Sequence, residues 1–107
     1  MKLYGYRYDS NNKRFIEKEI SVKESNTHNF RLPANNGISN ASTFPKRKLG
    51  ELSAVVGDYY AFYEKPSRDT FVTQVKTLMG QTTKTYEGLA VAERVKYMEF
   101  VEVVGKL

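Results

Sequence analysis

The chain opens on strict alternation. In "KLYGYRY", residues 2–8, Tyr4, Tyr6 and Tyr8 fall on one side and Leu3, Gly5 and Arg7 on the other, which is the period of a strand. A cluster of turn formers, "DSNNKR", comes next. Then "FIEKEISVKE" resumes the alternation, with Ile16, Ile20 and Val22 on one face and Glu17, Glu19, Ser21 and Lys23 mostly on the other. Two alternating runs joined by a polar turn predict an antiparallel hairpin. "THNFRLP" reads as a short third strand ended by Pro33, and "ANNGISNAST" as a loop. "DYYAFYEK" reads as a buried strand, with Tyr60, Phe62 and Glu64 opposing Tyr59, Ala61 and Tyr63. "FPKRKLGELSAVVG" carries two readings. Leu49, Leu52 and Val56 have helical spacing, whereas Pro45 and Gly50 argue against a long helix.

Beyond Pro66 the period changes. "PSRDTFVTQVKTLMG" predicts a helix: Pro66 lies just outside, Ser67 can cap, and Arg68 and Asp69 fill the first turn. Phe71, Val75, Leu78 and Met79 would line its apolar face, and Gly80 would end it. A second helix is expected from about Tyr86, with a stripe of Tyr86, Leu89, Val95 or Ala92, and Phe100. The tail, residues 97–107, is β-branched and aromatic enough to read as a strand as well. Strands first and helices last predict a single α+β domain over residues 1–107. Its antiparallel sheet has three to four strands and begins with the hairpin, and one or two C-terminal helices pack on one face. The other face would then be free to carry charge and tyrosine.

Composition narrows the function. At 107 residues, with 40% hydrophobic and 13% aromatic content, the chain can build one packed core. The absence of cysteine excludes disulfides, thiolate metal sites and a cysteine nucleophile. "MKLYGYRYDS" lacks a signal-peptide apolar core, and no apolar run is long enough to span a bilayer, so a cytoplasmic, non-membrane protein is expected. The net charge of +5 is unevenly placed. From Ser25 to Gly50 there are four cations, Arg31, Lys46, Arg47 and Lys48, and no acid, whereas six cations and five acids nearly balance from Pro66 onward. Such a local excess attracts anionic partners.

Little in the sequence supports catalysis. His28 is the single histidine and has no acidic residue within three positions, so neither a metal set nor an acid–base pair is suggested. Asp69 suits the positive end of a helix dipole. No glycine pattern has phosphate-loop or dinucleotide spacing, and no cofactor is implied. One enzyme class remains on charge grounds, a small metal-independent ribonuclease that stabilises phosphorane charge with Lys, Arg and Tyr. The basic stretch has a binding reading instead. Lys46, Arg47 and Lys48 would contact phosphates, helped by Arg31 and Arg14, while Tyr4, Tyr6 or Tyr8 stacks on bases. The plainer reading is that the three cations keep a sheet edge soluble and the tyrosines pack under the helices. In extended chain at most two of the three cations share a face; a helical or looped path would change that.

Taken together, "KLYGYRYDSNNKRFIEKEISVKES", "KRKLGELSAVVGDYYAFYEK" and the helical tail resemble, in layout, small accessory proteins encoded by phages and mobile elements of Gram-positive bacteria. These include anti-CRISPR proteins. The resemblance implies a non-enzymatic protein acting in the bacterial cytoplasm on a host protein or ribonucleoprotein, a Cas effector among them, or on RNA or DNA directly. It carries no catalytic set and transfers no functional residue. A structural or regulatory phage protein that binds only protein is the alternative, self-associating through the C-terminal helices and Tyr59, Tyr60 and Tyr63. The ribonuclease stands third.

Overall fold

The protein is described here by a computed structural model covering residues 1–80 and 91–106. Its architecture is α+β. Strand β1 (Lys2–Asp9) and β2 (Arg14–Ser21) form the N-terminal hairpin, paired from Lys2–Ser21 to Asp9–Arg14. The turn between them is built by Asp9, whose carboxylate accepts from the backbone N–H groups of Asn11 and Asn12 at 3.0 and 3.2 Å and from the Asn12 side chain at 2.7 Å. Strand β7 (Asp58–Tyr63) pairs antiparallel with the other side of β1, and the short β6 (Ser53–Val55) with β7. The order is therefore β2-β1-β7-β6.

A second antiparallel sheet, of order β3-β4-β5, consists of β3 (Lys23–Glu24), β4 (Asn29–Arg31) and β5 (Thr43–Pro45). "THNFRLP" thus supplies a strand, but to this small sheet. The loop reading of "ANNGISNAST" also holds, yet the loop is ordered from within. Buried Asn36 accepts from the N–H groups of Ile38 and Ser39 at 2.8 and 2.9 Å and donates to the Pro33 carbonyl at 3.0 Å. That turn drives Ile38 into the core. Gly5 on β1 makes room for it, since a Cβ there would lie 2.7 Å from Ile38 Cγ1.

Both faces of the main sheet are consequently covered. Leu3, Ile20 and Phe62 pack with Val22, Phe30, Leu32, Ile38 and Phe44 beneath the small sheet and its loop. Tyr6, Tyr8, Ala61 and Tyr63 pack with Phe71, Val72, Val75 and Phe100 beneath helices α1 (Arg68–Gly80) and α2 (Val91–Gly105). The open face that one-sided coverage would have left is closed by the irregular segment 32–44.

The tail resolves as helix, not strand, through Gly105. The apolar stripes differ from the spacing-based reading. On α1, Phe71, Val72 and Val75 are buried, whereas Leu78 is 47% exposed. On α2, Phe100 is buried with Val103 and Val104 against it, whereas Ala92 and Val95 face out. Tyr86 and Leu89 lie outside the described residues. Ser67 begins α1 through its carbonyl, which accepts from Phe71 N–H at 2.9 Å, and not through its hydroxyl, which donates to the Lys65 carbonyl. No helix among the described residues is long and apolar enough to cross a membrane.

Candidate anion interface on the small sheet

The "KRK" stretch is a single 3-10 turn, Lys46–Lys48, directly after β5. At three residues per turn, consecutive side chains spread about 120° apart, so this looped path does not bring the three cations onto one face. Lys46 folds back, its ammonium 2.7 Å from a Glu24 carboxylate oxygen and 5.2 Å from the centre of the Phe30 ring. Arg47 is exposed and Lys48 half-buried. The lysine holds the Glu24 carboxyl below the usual range, first by hydrogen bonding and then by charge.

The turn is firmly mounted. Lys46 N–H donates to the His28 carbonyl at 2.9 Å, and Gly50 N–H to the Phe62 carbonyl at 2.8 Å. Gln74 of α1 donates from its side-chain amide to the Gly50 carbonyl at 2.8 Å and accepts the Tyr63 hydroxyl. Gly50 takes φ +79°, the left-handed region that spares glycine the Cβ penalty. A helix, the central sheet and the small sheet therefore all fix the path of residues 46–50, and a cation carried there loses little freedom when it binds.

Register adds a residue the sequence reading left out. Glu24, Phe30 and Phe44 are opposite one another and the two phenylalanines face the core, so the adjacent row, Lys23, Arg31 and Thr43, turns outward. Lys23 thereby sits directly opposite Arg31. The signal was available: Asn26, whose side-chain oxygen accepts from His28 and Asn29 N–H at 2.8 and 3.0 Å, marks a tight turn between them. A hairpin across that turn pairs the two cations. Lys18 lies at the border of the same lobe, packed over Gly37.

The remaining residues singled out from the sequence are placed elsewhere. Arg14 is at the hairpin-turn end of β2, 3.7 Å from Asp9. Tyr6 and Tyr8 are core residues, 2% and 0% exposed, and offer no ring face to a base. Tyr6 stacks on Phe71 at 5.6 Å and accepts from Ser67 N–H at 2.9 Å, while Tyr8 meets Phe100 edge-on at 4.8 Å. Burial pushes the Tyr8 hydroxyl above its ordinary pKa. Tyr4 is half-buried against the same cluster. The self-association face envisaged for Tyr59, Tyr60 and Tyr63 is also mostly interior: Tyr63 is buried and the other two pack against the cores. The tyrosine row is buried because two helices cover that face of the sheet. Among the described residues no cluster of His and carboxylates could hold a metal, and His28 lines a shallow pocket of about 280 Å³ with Thr27, Asn29, Pro45, Lys46 and Arg47.

Lys2, Arg7, Lys13, Arg68 and Lys106 each pair with a carboxylate at 2.8–3.4 Å. Lys23, Arg31, Arg47 and Lys48 on the small-sheet lobe, and Lys18 on β2 beside it, form no ion pair among the described residues, and neither do Lys65, Lys76 and Lys96, which are spread over the helix side. No family model, no curated protein and no solved structure matches this chain.

Proposed function

We propose that this chain is a non-enzymatic binding module that grips a nucleic acid or nucleoprotein through the small-sheet lobe. Lys23, Arg31, Arg47 and Lys48 meet phosphates, and Lys18 extends the field. The observation that carries the reading is the clustering of unpaired cations on and beside that lobe, in which residues 25–50 hold no acid and Lys23 lies directly opposite Arg31. Unpaired, exposed cations need not break an internal bridge to bind, whereas Lys46 must leave Glu24. With the tyrosines buried, contact rests on charge, so the lobe reads backbone and not base. In the phage setting that the layout suggests, the partner is a host ribonucleoprotein, a Cas effector being one instance.

The test is fluorescence anisotropy of labelled single-stranded RNA, single-stranded DNA and duplex DNA over a salt series. Each phosphate contact contributes about −0.7 (single strand) to −0.9 (duplex) to the log–log salt slope. Changing Lys23, Arg31 and Arg47 together to alanine should flatten that slope by about 2–3. The control triple, Lys65, Lys76 and Lys96 to alanine, removes the same charge elsewhere and should leave most of the slope intact. Equal losses in both variants would reduce the effect to net charge. Absence of binding at low salt would favour the protein-only reading, for which the exposed Val91, Val95 and Met98 of α2 are the supporting feature.

A further inference from the structure

The two free edges of the main sheet differ in chemistry. Hydrogen-bond parity identifies which groups each edge presents. Val22 N–H donates to the Met1 carbonyl, so alternate residues of β2 back to Arg14 bond inward, and Phe15, Glu17, Glu19 and Ser21 turn their backbone groups to the open side. At the other edge, Ser10 N–H donates to the Gly57 carbonyl and Gly50 N–H to that of Phe62. Tyr59, Ala61 and Tyr63 therefore bond to β1 and Asp58 and Tyr60 to β6, which leaves Leu52 and Ala54 pointing outward, with Val56 beyond them in the turn to β7. None of these three makes a backbone hydrogen bond across that edge among the described residues, although the Leu52 side chain packs against the core beneath the helices.

The β2 edge is protected in the usual way, by charge. In the two antiparallel registers that overlap it most fully with a second copy of itself, Glu17 would oppose Glu17 or Lys18 would oppose Lys18. The β6 edge has no such guard. From Leu52 to Val56 it carries no ionisable side chain, Val55 is 57% exposed and Val56 is 94% exposed. Centred on Ala54, this segment is also self-complementary. Ala54 faces Ala54 of a second copy, Ser53 faces Val55, and Leu52 faces the turn residue Val56, with the outward backbone groups of Ala54 at the central bonded position of the ladder.

We infer that the β6 edge is a homodimer interface, in which Leu52–Val56 of two copies pair antiparallel about Ala54 and join the two main sheets into one. The dyad is isologous, as closed dimers require. Five residues from each copy are few against the roughly 20–30 a side of a standard interface, so the dimer is weak and depends on concentration.

The register makes the test sharp, because the chain has no cysteine of its own. Across a bonded antiparallel pair the Cα atoms are about 5.5 Å apart, within the roughly 4.4–6.8 Å that a disulfide spans. Ala54→Cys should therefore cross-link to a dimer under mild oxidation. Val56→Cys, more exposed but four residues out of register with itself, about 14 Å along the strand, should remain largely monomeric. In sedimentation velocity the unmodified chain should shift toward dimer with rising concentration. Ala54→Lys, which sets two cations face to face at an exposed position, should weaken that association at least about tenfold. A chain that stays monomeric at millimolar concentration, equal cross-linking at both cysteines, or a dimer indifferent to Ala54→Lys would each overturn the inference.

Discussion

Beneath the helices the main sheet presents Tyr6, Tyr8 and Tyr63; beneath the small sheet it presents Leu3, Ile20 and Phe62. The first side is sealed by regular elements and retains polar handles. Tyr6 accepts from Ser67 N–H at the start of α1, and Tyr63 donates to Gln74 within it, so the hydroxyls set the position of that helix as the rings fill the core. The second side is aliphatic and phenyl, and a loop stapled by Asn36 does much of the sealing. That side carries the basic lobe on its outer surface. The helix is positioned by core hydroxyls, whereas the lobe rests on apolar side chains and is pinned by backbone contacts at its margin, Gly50 N–H to the Phe62 carbonyl and Gln74 to the Gly50 carbonyl.

If the two covers belong to one cooperative unit, deleting a buried ring on either side should have the same consequence. Phe62→Ala and Phe71→Ala both remove fully buried phenyl groups, and each should lower the unfolding free energy by about 3–5 kcal/mol. Urea unfolding followed by tyrosine fluorescence and by far-UV circular dichroism should give coincident single transitions in both variants. An early separate transition in Phe62→Ala alone would show that the small sheet folds as an appendage. The lobe would then need its own source of stability.

The close approach of loop and sheet at Gly5 gives a narrower test. An alanine Cβ would press on Ile38 Cγ1 at 2.7 Å and on the Phe62 ring at 3.1 Å. Gly5→Ala should therefore cost about 1–3 kcal/mol by overpacking. Ile38→Ala should also destabilise, by opening a cavity. Because each change removes the clash or fills the space created by the other, the double variant should be less unstable than the sum, with an interaction energy of about 0.5–3 kcal/mol. Simple additivity would place Ile38 away from Gly5. No equivalent coupling is expected on the helix side, where, among the described residues, no Cβ added at a glycine would press on the helices.

How much of this was legible follows from the range of the forces involved. The hairpin, β7 and α1 were readable because alternation, turn formers and capping are local. Of the small sheet only β4 was legible, within "THNFRLP"; β3 and β5 run two and three residues, too short for periodicity to register. The burial of Tyr6 and Tyr8 depends on which face the helices choose, a tertiary fact that identical alternation on both faces leaves undecided. Among the proposed contacts, Arg31 and Arg47 stand out in the sequence by charge alone. The pairing of Lys46 with Glu24, 22 positions away, and the placement of Lys23 beside Arg31 are set by register, which a charge count along the chain does not show.

Each side also carries an ion pair that depresses its carboxyl, and these two should respond differently to acid. Glu17 holds Arg68 through paired hydrogen bonds at 2.8 and 2.9 Å, and Glu24 holds Lys46. In both cases the cation keeps the carboxyl below its ordinary value of 4.5, chiefly by hydrogen bonding. A depressed folded-state pKa gives stability that is present above the unfolded value and lost as pH falls through the folded one. Carboxyl titration by NMR should place both midpoints below 4.5, with only a small loss of stability, because both pairs are solvated. The functional consequence differs. Protonating Glu17 frees Arg68 on the helix side, whereas protonating Glu24 releases Lys46 into the basic lobe and adds a net positive charge there. Glu24→Gln mimics that state at neutral pH, and anion affinity should rise roughly two- to threefold at low salt, with a slightly steeper salt slope. Glu17→Gln should leave the affinity nearly unchanged. If Glu24→Gln also leaves it unchanged, Lys46 stands outside the interface, and the contact reduces to the outer row of Lys23 and Arg31 with Arg47 and Lys48.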